Sequence, residues 1–315
     1  MNKIRLLVFS LALISSVPAQ VRNADFKIHD RGNLWETMKD DGTIGAPNPT
    51  NRFEYYPSMD WPGGPSQMNK DDQRSYSYGS GMWIGGKKAD GTVFFTENGP
   101  FGYVDKGIFE TIEKTDNLLG SPTYNPAEAE QIITAKWKTT ENISVIRKSR
   151  VWSFPLLNNF VICEYVITNQ NPAAVHDVYI GFPNLIRPSY QDFVVHNGWG
   201  DDFNRTDDFV SYDSTRNMVY SWDDTPNFSI PSDIGNYLEA AGELRTTGYA
   251  GLTLLYADAA SDNRVQPSNV FWAQLLNNER FFTIQSSTAQ NLYNILNGTD
   301  KTLQANAGDH LTPFI

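Results

Sequence analysis

Alternation of apolar and polar residues in the middle of the chain predicts antiparallel β-strands. Apolar side chains alternate with polar ones from Ile143 to Phe154, and Phe160–Ile167 is apolar on both faces apart from Glu164. A polar turn then leads into Val175–Phe182, in which every second residue is apolar or aromatic on one face. A strand that is apolar on both faces is typical of a sheet centre. The pattern therefore predicts a three-stranded antiparallel meander over residues 143–182, with a central second strand.

Shorter patterns predict a hairpin and further strands. Ser75–Gly86 and Thr92–Thr96 flank the turn Lys88–Gly91, and an Asp-Gly turn between two such runs favours a β-hairpin. The remaining strand candidates are Met218–Trp222, Gly248–Tyr256 and Phe281–Gln285.

Two segments have helical features. Residues 126–138 begin with Pro126, followed by Glu128 and Glu130 near the positive end of a helix. Residues 288–297 form a clearer helix, which Ser287 or Thr288 caps and Gly298 ends. Its predicted apolar face consists of Ala289, Leu292, Tyr293 and Leu296.

These elements together predict an all-β protein, an antiparallel β-sandwich architecture of one or two sandwiches with a few short helices. Residues 20–140 form an irregular N-terminal region with some β-structure, in which many turn residues separate the apolar runs. Residues 141–315 form the β-sandwich region. Because apolar residues such as Phe281 and Phe282 persist near the end without a closing element, we expect this region to be truncated at its C-terminus.

The first nineteen residues have the three parts of a secretory signal peptide. Lys3 and Arg5 precede an uncharged apolar run from Leu6 to Val17, and Val17-Pro18-Ala19 places small residues at a cleavage site. The run is shorter than the roughly 20 apolar residues of a transmembrane helix. We therefore expect cleavage after Ala19, and a mature chain without a membrane-spanning segment.

Composition supports an extracellular protein and excludes some partners. The net charge is −11, and aromatic residues make up 13% of the chain. Nucleic acids and anionic membranes select basic surfaces, so neither is an expected partner. Cys163 is the single cysteine, so no intramolecular disulfide forms, and its place in an apolar strand predicts a buried, inert thiol.

An acidic run is the best candidate for a metal site. Short loops rich in Asp and Asn supply the 6–8 oxygen ligands that Ca²⁺ takes. The spacing resembles that of a helix-flanked calcium loop, but Asp207 stands where that loop requires glycine and the flanks are not helical. The alternative is a solvated acidic loop. The candidate ligands are Asp202, Asn204, Thr206, Asp208 and Asp213.

Aromatic residues supply a second candidate site, for glycans. Exposed aromatic rings bind sugars through their flat apolar faces, although most Trp and Tyr residues of β proteins belong to the core. The strongest candidates are Trp61, Trp83 and Trp199, with Trp222 in the same wider set.

Motifs of the common catalytic classes are missing from the sequence. It contains no Gly-x-Ser-x-Gly elbow, His-Glu-x-x-His motif, phosphate-binding loop or Gly-x-Gly-x-x-Gly fingerprint. The four histidines lie far apart and are expected to pack or to face solvent, and His196 adjoins the acidic run. A carboxylate pair for glycoside hydrolysis is not visible in sequence, but Glu97 and Glu164 stand at suitable strand positions.

Three segments resemble a family of large exported proteins from Bacteroidota and related bacteria. They are Gly81–Gly86, Asn159–Asn169 and Thr206–Asp213. The resemblance implies a β-rich surface or released protein, and members often carry a C-terminal sorting domain for type IX secretion. No such domain is recognisable here, and the family supplies no catalytic residues.

The sequence thus predicts a protein that is secreted or held at the outer surface of a Gram-negative bacterium. We expect a non-enzymatic binding or structural role, with glycans or cell-surface components as partners and Ca²⁺ as the candidate ion. The alternative is a secreted polysaccharide-acting hydrolase that uses a carboxylate pair, or an accessory module of one.

Overall fold

The chain folds almost entirely into antiparallel β-sheets. The computed structural model describes residues 25–45, 57–63, 76–98, 107–186, 208–223, 249–257 and 288–301, with the short pieces 237–238, 243–244, 270, 273–274 and 313–314. The predicted signal peptide and the predicted strand at residues 281–285 lie outside these residues.

Every strand pairing in the described residues is antiparallel. The strands up to residue 186 are β1 (Phe26–His29), β2 (Glu36–Lys39), β3 (Ser77–Ser80), β4 (Met82–Lys87), β5 (Val93–Asn98), β6 (Ile108–Asp116), β7 (Gln131–Lys138), β8 (Ile143–Val151), β9 (Ile162–Asn169), β10 (His176–Gly181) and β11 (Asn184–Ile186). The later strands are β12 (Asp208–Asp213), β13 (Met218–Asp223), β14 (Tyr237–Leu238), β15 (Glu243–Leu244), β16 (Tyr249–Thr253), β17 (Ala273–Gln274) and β18 (Pro313–Phe314).

Two sheets pack face to face and enclose the main core. The large sheet has the order β6-β7-β8-β9, and the small sheet has the order β10-β4-β5. Met82, Ile84 and Phe94 from the small sheet meet Trp137 and Val145 from the large sheet, all nearly or fully buried. The predicted all-β sandwich is therefore confirmed.

Four other sheets complete the described fold. The C-terminal sheet has the order β12-β13-β16, a four-stranded sheet has the order β17-β18-β11-β3, and β1-β2 and β14-β15 form two-stranded sheets.

The predicted hairpin around Gly91 is confirmed. β4 and β5 pair in register from Met82 opposite Asn98 to Lys87 opposite Val93. Gly91 has a φ of +84°, and the backbone N–H of Thr92 donates to Asp90 Oδ1 at 2.9 Å. The turn forms as predicted because its residues satisfy it locally.

The predicted meander is wrong in two respects. Its third strand belongs to another sheet, and its second strand is an edge strand rather than a central one. β8 pairs with β9, but β10 crosses to the small sheet and pairs with β4. β9 lies at the edge of the large sheet, where Val166 is 52% exposed. Apolar residues on both faces therefore did not indicate burial on both faces in this strand.

The helix proposed over residues 126–138 is wrong. Residues 131–138 form β7, in which Gln131, Ile133, Ala135 and Trp137 face inward and are fully or almost fully buried. Buried residues thus recur at every second position of this segment. Burying this face stabilises the strand more than acidic residues near a helix N-terminus would stabilise a helix.

The predicted C-terminal helix is confirmed as α1 (Ala289–Leu296). Thr288 Oγ1 accepts a hydrogen bond from the Asn291 N–H at 3.3 Å, and Gly298 follows with a φ of +78°. Tyr293 and Leu296 pack over Gly85 of the small sheet, so α1 covers the face that points away from the core.

The N-terminal hairpin β1-β2 connects to the large sheet through polar contacts described below. The predicted division at residue 140 falls between the paired strands β7 and β8, so the two predicted regions share the large sheet. No helix among the described residues is long and apolar enough to cross a membrane.

Candidate functional site

A row of aromatic rings crosses the C-terminal sheet. Phe209, Trp222 and Tyr249 lie opposite one another on β12, β13 and β16. The ring centroids of Phe209 and Trp222 are 5.4 Å apart, and those of Trp222 and Tyr249 are 5.9 Å apart, with interplanar angles of 16° and 24°. The three rings therefore form one continuous stack along the hydrogen-bonding direction of the sheet.

Tyr220 widens this row into an aromatic surface. It is two residues before Trp222 on β13, so both side chains lie on one face. The two ring centroids are 5.3 Å apart, and the Tyr220 and Tyr249 centroids are 6.2 Å apart. We call Phe209, Tyr220, Trp222 and Tyr249 the aromatic face.

The stack ends at a ring that faces solvent. Tyr249 is 71% exposed, whereas Trp222 and Phe209 behind it are half-buried. The opposite face of the sheet carries Val210 and Ser221, both fully buried. Tyr249 is thus a solvent-exposed aromatic ring supported by packed rings and a buried sheet face.

The turn between β12 and β13 forms the polar end of this sheet face. Asp213 Oδ1 accepts hydrogen bonds from Thr215 N at 2.9 Å and Thr215 Oγ1 at 2.6 Å, and Arg216 pairs with the other carboxylate oxygen. These hydrogen bonds, from Thr215 and then Arg216, lower the pKa of Asp213 to about 2. Asp213 is therefore ionised and already serves as the acceptor that closes the turn.

Of the other predicted calcium ligands, the structure describes Asp208 alone. Asp202, Asn204 and Thr206 lie outside the described residues, and Asp208 is the first residue of β12. No three His, Cys, Asp or Glu side chains cluster as metal ligands in the described part of the chain. Calcium binding by the acidic run stays a prediction.

The predicted sugar-binding tryptophans have different environments. Trp61 is 38% exposed, and its Nε1 donates to Asn159 Oδ1 at 3.0 Å. Trp83 is 4% exposed and packs edge-on against Phe95, so as a core residue it offers no ring face to a ligand, contrary to expectation. Trp199, like His196, lies outside the described residues.

A buried Ser-His-Gln arrangement joins the N-terminal hairpin to the large sheet. His29 Nε2 lies 2.8 Å from Ser149 Oγ, and His29 Nδ1 lies 3.1 Å from Gln131 Oε1. Gln131 Nε2 donates to Asp30 Oδ1 at 2.7 Å and to Asp116 Oδ1 at 2.8 Å. Gln131 Oε1 must then accept, so Nδ1 of His29 carries the proton and Nε2 is left as an acceptor. The Ser149 hydroxyl has one proton to share between His29 Nε2 and the Ile133 carbonyl, which lies 3.2 Å from its Oγ.

This arrangement resembles an activated serine, but its burial indicates a structural role. Nucleophile, base and orienting acceptor follow the order of hydrolase triads. His29, Gln131 and Ser149 all have no exposed surface, and burial lowers the pKa of His29 to about 4. All three side chains are sealed from solvent. The contacts of His29 with Ser149 and Gln131, and of Asp30 with Gln131, therefore hold the hairpin on the sheet.

A buried arginine makes the second attachment. Arg147 NH1 donates to the Gly42 carbonyl at 2.9 Å and NH2 to the Lys39 carbonyl at 2.7 Å. The guanidinium lies over the Trp137 ring, 5.6 Å from its centroid. One fully buried cation thereby satisfies carbonyls at the end of β2 and in the following turn.

The two carboxyl groups considered for hydrolysis differ in environment. Glu164 is exposed, and its carboxylate pairs with Arg150 at 2.7 Å on the outer face of the large sheet. Burial raises the pKa of Glu97 to about 7, against a smaller lowering by the Trp83 side chain. Glu97 Oε1 is buried without a hydrogen-bond partner among the described residues. Glu97 therefore has the protonation behaviour of a general acid, whereas Glu164 belongs to a surface ion pair.

The lone cysteine was predicted to be a buried, inert thiol, and the residue is half-buried. Cys163 faces inward from β9 as an unpaired thiol, and burial raises its pKa to about 11. A thiol with this pKa is almost wholly protonated at neutral pH, which makes it a weak nucleophile.

Sequence reasoning identified Trp222 but missed its partners on the aromatic face. Tyr220 and Trp222 alternate along one strand, which is a visible signal. Phe209 and Tyr249 join them only through the pairing of three strands, and that register cannot be deduced from spacing. No family model, curated protein or solved structure matches this chain.

Proposed function

We propose that this is an exported protein that binds carbohydrate at a cell surface through the aromatic face. The observation that carries the proposal is the position of Tyr249, a 71% exposed ring at the open end of an aromatic stack. The apolar C–H face of a sugar ring fits against such a ring. Because Trp222 already holds Tyr249 in place, little side-chain freedom is lost on binding.

The charges on this sheet face favour uncharged sugars. Among its described residues, the charged side chains are Asp213 and Arg216, which pair with each other at the turn. Asp213 lies four residues from Phe209 on β12, a distance of roughly 13 Å along the strand. Among the residues that the structure describes on this face, no unpaired cation therefore stands beside the rings to bind a carboxylate or sulfate group.

The proposed location follows from the sequence. The signal peptide directs export, and the resemblance to exported Bacteroidota proteins favours the outer surface or the medium as the destination. An acidic chain of net charge −11 is suited to either place.

The binding test compares two tyrosines of equal exposure. Tyr249 and Tyr256 are each 71% exposed, but only Tyr249 belongs to the aromatic face. We expect the wild-type protein and Tyr256→Ala to be retained on at least one insoluble or immobilised neutral polysaccharide. We expect Tyr249→Ala to bind the same polysaccharide with a Kd about tenfold higher, measured by affinity electrophoresis. Absence of retention on a broad panel of neutral glycans, or equal retention of both variants, would contradict the proposal.

A secreted polysaccharide hydrolase is the alternative, and Glu97 is the residue that favours it. A general acid with a pKa of about 7 needs a second carboxylate about 5–9 Å away. Release of new reducing ends from a polysaccharide, lost in Glu97→Gln and retained in Glu164→Gln, would support this function. Release that is equal in both variants would exclude Glu97 as its acid.

A further inference from the structure

β9 is an edge strand with the side chains of a strand from inside a sheet. Among the strands that the structure describes, it pairs with β8 alone. Its sequence is Ile-Cys-Glu-Tyr-Val-Ile-Thr-Asn, which contains no lysine or proline and has Glu164 as its single charge. Natural edge strands usually carry lysine or proline, because a free row of backbone N–H and C=O groups pairs readily with another strand. The sequence of β9 therefore does not protect this edge.

The backbone of β9 does not protect the edge either. β8 and β9 pair in unbroken register along the whole of β9. The opposite edge strand, β6, has a register shift between Phe109 and Thr111, and its Lys114 donates to the Ile28 carbonyl of the N-terminal hairpin at 2.8 Å. A bulge and a covering segment are two of the ways in which proteins block an edge. Of the two edges of the large sheet, β9 is thus the one that remains regular.

Solvent reaches this edge of the sandwich. The inward side chains of β8 are all buried, whereas the inward Cys163, Tyr165 and Ile167 of β9 are only half-buried. On the outward face of β9, Val166 is 52% exposed. A further strand beside β9 would bury its inward side chains as β9 itself buries those of β8. The exposure therefore indicates an open edge.

β10 opens the small sheet on the same side of the sandwich. A short turn joins β9 to β10, which is an edge strand of the small sheet. Phe182 directly follows β10 and packs on the core, with its ring centroid 5.0 Å from that of Tyr165. Ile180 lies two residues earlier on the same face and is 42% exposed, and Val178 is 41% exposed. Both sheets therefore end on this side with apolar side chains that reach solvent.

The charged side chains described beside this edge already have partners. Glu164 pairs with Arg150 at 2.7 Å, and Asp177 at the start of β10 pairs with Lys87 at 2.8 Å. An occupant of the edge thus meets a locally neutral surface. This neutrality favours a second copy of the chain, because two identical faces repel each other wherever an unpaired charge meets its own image.

The sequence of β9 is complementary to itself. A two-fold axis perpendicular to the sheet makes two copies of β9 antiparallel and keeps their inward faces on one side. If Val166 lies opposite Val166 of the second copy, Glu164 lies opposite Thr168. In the same register Tyr165 lies opposite Ile167. Like charges do not meet, and the two exposed valines form a cross-strand pair.

We infer that β9 pairs with β9 of a second copy of this chain, which joins two four-stranded sheets into one sheet of eight strands. The same axis brings the two β10 strands toward each other, so that Val178 and Ile180 become covered. In this dimer β9 is a central strand, which is the position that its apolar sequence predicts. The aromatic face lies on another sheet, so the dimer does not depend on carbohydrate binding.

Analytical ultracentrifugation of the full chain tests the dimer. Pairing along one strand edge buries a small interface, so we expect a reversible dimer with a Kd of about 1–10 µM. The protein should have the mass of one chain well below this concentration and twice that mass at about 100 µM. Because each chain has a net charge of −11, added salt should strengthen the dimer.

Matched lysine substitutions locate the interface. Val166→Lys places two like charges opposite each other on the axis and should raise the Kd of the dimer about 100-fold or more. Val178→Lys should raise it about tenfold through β10. Ile108→Lys makes the same kind of change at a 61% exposed position on β6 and should leave the Kd unchanged. All three positions are solvent-exposed, and an unchanged Tm at low protein concentration verifies that each variant folds.

Hydrogen exchange shows what occupies the edge. The β9 amides that face away from β8 should exchange more slowly in the wild type at about 100 µM than in Val166→Lys at the same concentration. Three results would overturn the inference. One is a wild type that stays monomeric at about 100 µM, with β9 amides either exposed or protected by the rest of its own chain. Another is a dimer that Val166→Lys does not weaken. The third is a dimer that Ile108→Lys weakens as much as Val166→Lys does, which would assign the contact to the opposite edge.

Discussion

His29 Nε2 lies within hydrogen-bonding distance of Ser149 Oγ, at 2.8 Å, although the two residues are 120 positions apart and neither reaches solvent. This contact joins the first described strand to the middle of the large sheet. The N-terminal hairpin is thereby held to the sandwich by a titratable side chain, which makes the attachment sensitive to acid.

Acid should weaken the contribution of His29 to stability. Burial lowers the pKa of His29 to about 4, below the value near 6.5 of an unfolded chain. Between pH 6.5 and 4 the unfolded state therefore binds more protons, and stability falls as the pH falls. The expected loss approaches about 3 kcal/mol at pH 4.

Urea unfolding of the wild type and of His29→Asn at pH 7, 5.5 and 4 measures this effect. The difference in unfolding free energy between the two proteins should shrink as the pH falls, because groups common to both cancel. His176→Gln, at an exposed position, serves as the control for replacing a histidine outside the attachment. A difference for His29→Asn that stays constant with pH would show that His29 does not titrate in this range.

Glu97 should have the opposite pH dependence. Its folded pKa of about 7 exceeds the ordinary value of 4.5, so the protonated form is favoured and stability falls as the pH rises from 4.5 through 7. Glu97→Gln removes the ionisable group and keeps its shape. We expect this variant to match the wild type at pH 5 and to exceed it by about 1–3 kcal/mol at pH 8. Equal stabilities at both pH values would contradict the burial argument.

Arg147 and Arg150 should respond differently to the same substitution. They lie on one strand, but Arg147 is fully buried and donates to two backbone carbonyls, whereas Arg150 faces outward to the exposed Glu164. A lysine cannot reproduce the forked donors, so Arg147→Lys should lower the unfolding free energy by about 2–4 kcal/mol. Arg150→Lys should change it by no more than about 0.5 kcal/mol. Chemical denaturation of both variants checks the contrast.

Local signals account for the parts of the fold that the sequence predicted correctly. The β4-β5 hairpin and α1 depend on residues within a few positions of one another, such as Gly91 at the turn and Thr288 at the helix start. Each contact that fixes these elements is short in sequence. A sequence pattern over a few consecutive residues is therefore enough to identify these two elements.

Long-range pairing accounts for the errors. Alternation identified β8 and β10 as strands and an apolar run identified β9, but neither pattern carries information about which strand each one pairs with. β10 leaves β9 and pairs with β4, and β9 becomes an edge. The candidate site also depends on long-range pairing, because Trp222 stacks on Tyr249 only once β13 and β16 have paired. The aromatic residues were visible in the sequence, but their common face was not.

Leu156 occupies a backbone conformation that favours glycine. It follows Pro155 in a turn closed by the hydrogen bond from Leu157 N to the Phe154 carbonyl at 3.0 Å, and its φ is +72°. A side chain in this left-handed region costs about 1–2 kcal/mol, and at 89% exposure Leu156 gains little from packing. Leu156→Gly should therefore raise the unfolding free energy by about 0.5–1 kcal/mol, despite the greater freedom of glycine in the unfolded chain.

Leu119 is the matched control for this prediction, because it is 82% exposed in another turn but is not among the residues with positive φ. Leu119→Gly gains no relief of strain and loses conformational entropy, so it should lower the unfolding free energy by about 0.5–1 kcal/mol. Urea denaturation of the two variants should thus give changes of opposite sign. If both variants lose stability equally, then Leu156 is not strained in the folded protein, and contacts of its side chain stabilise the turn instead.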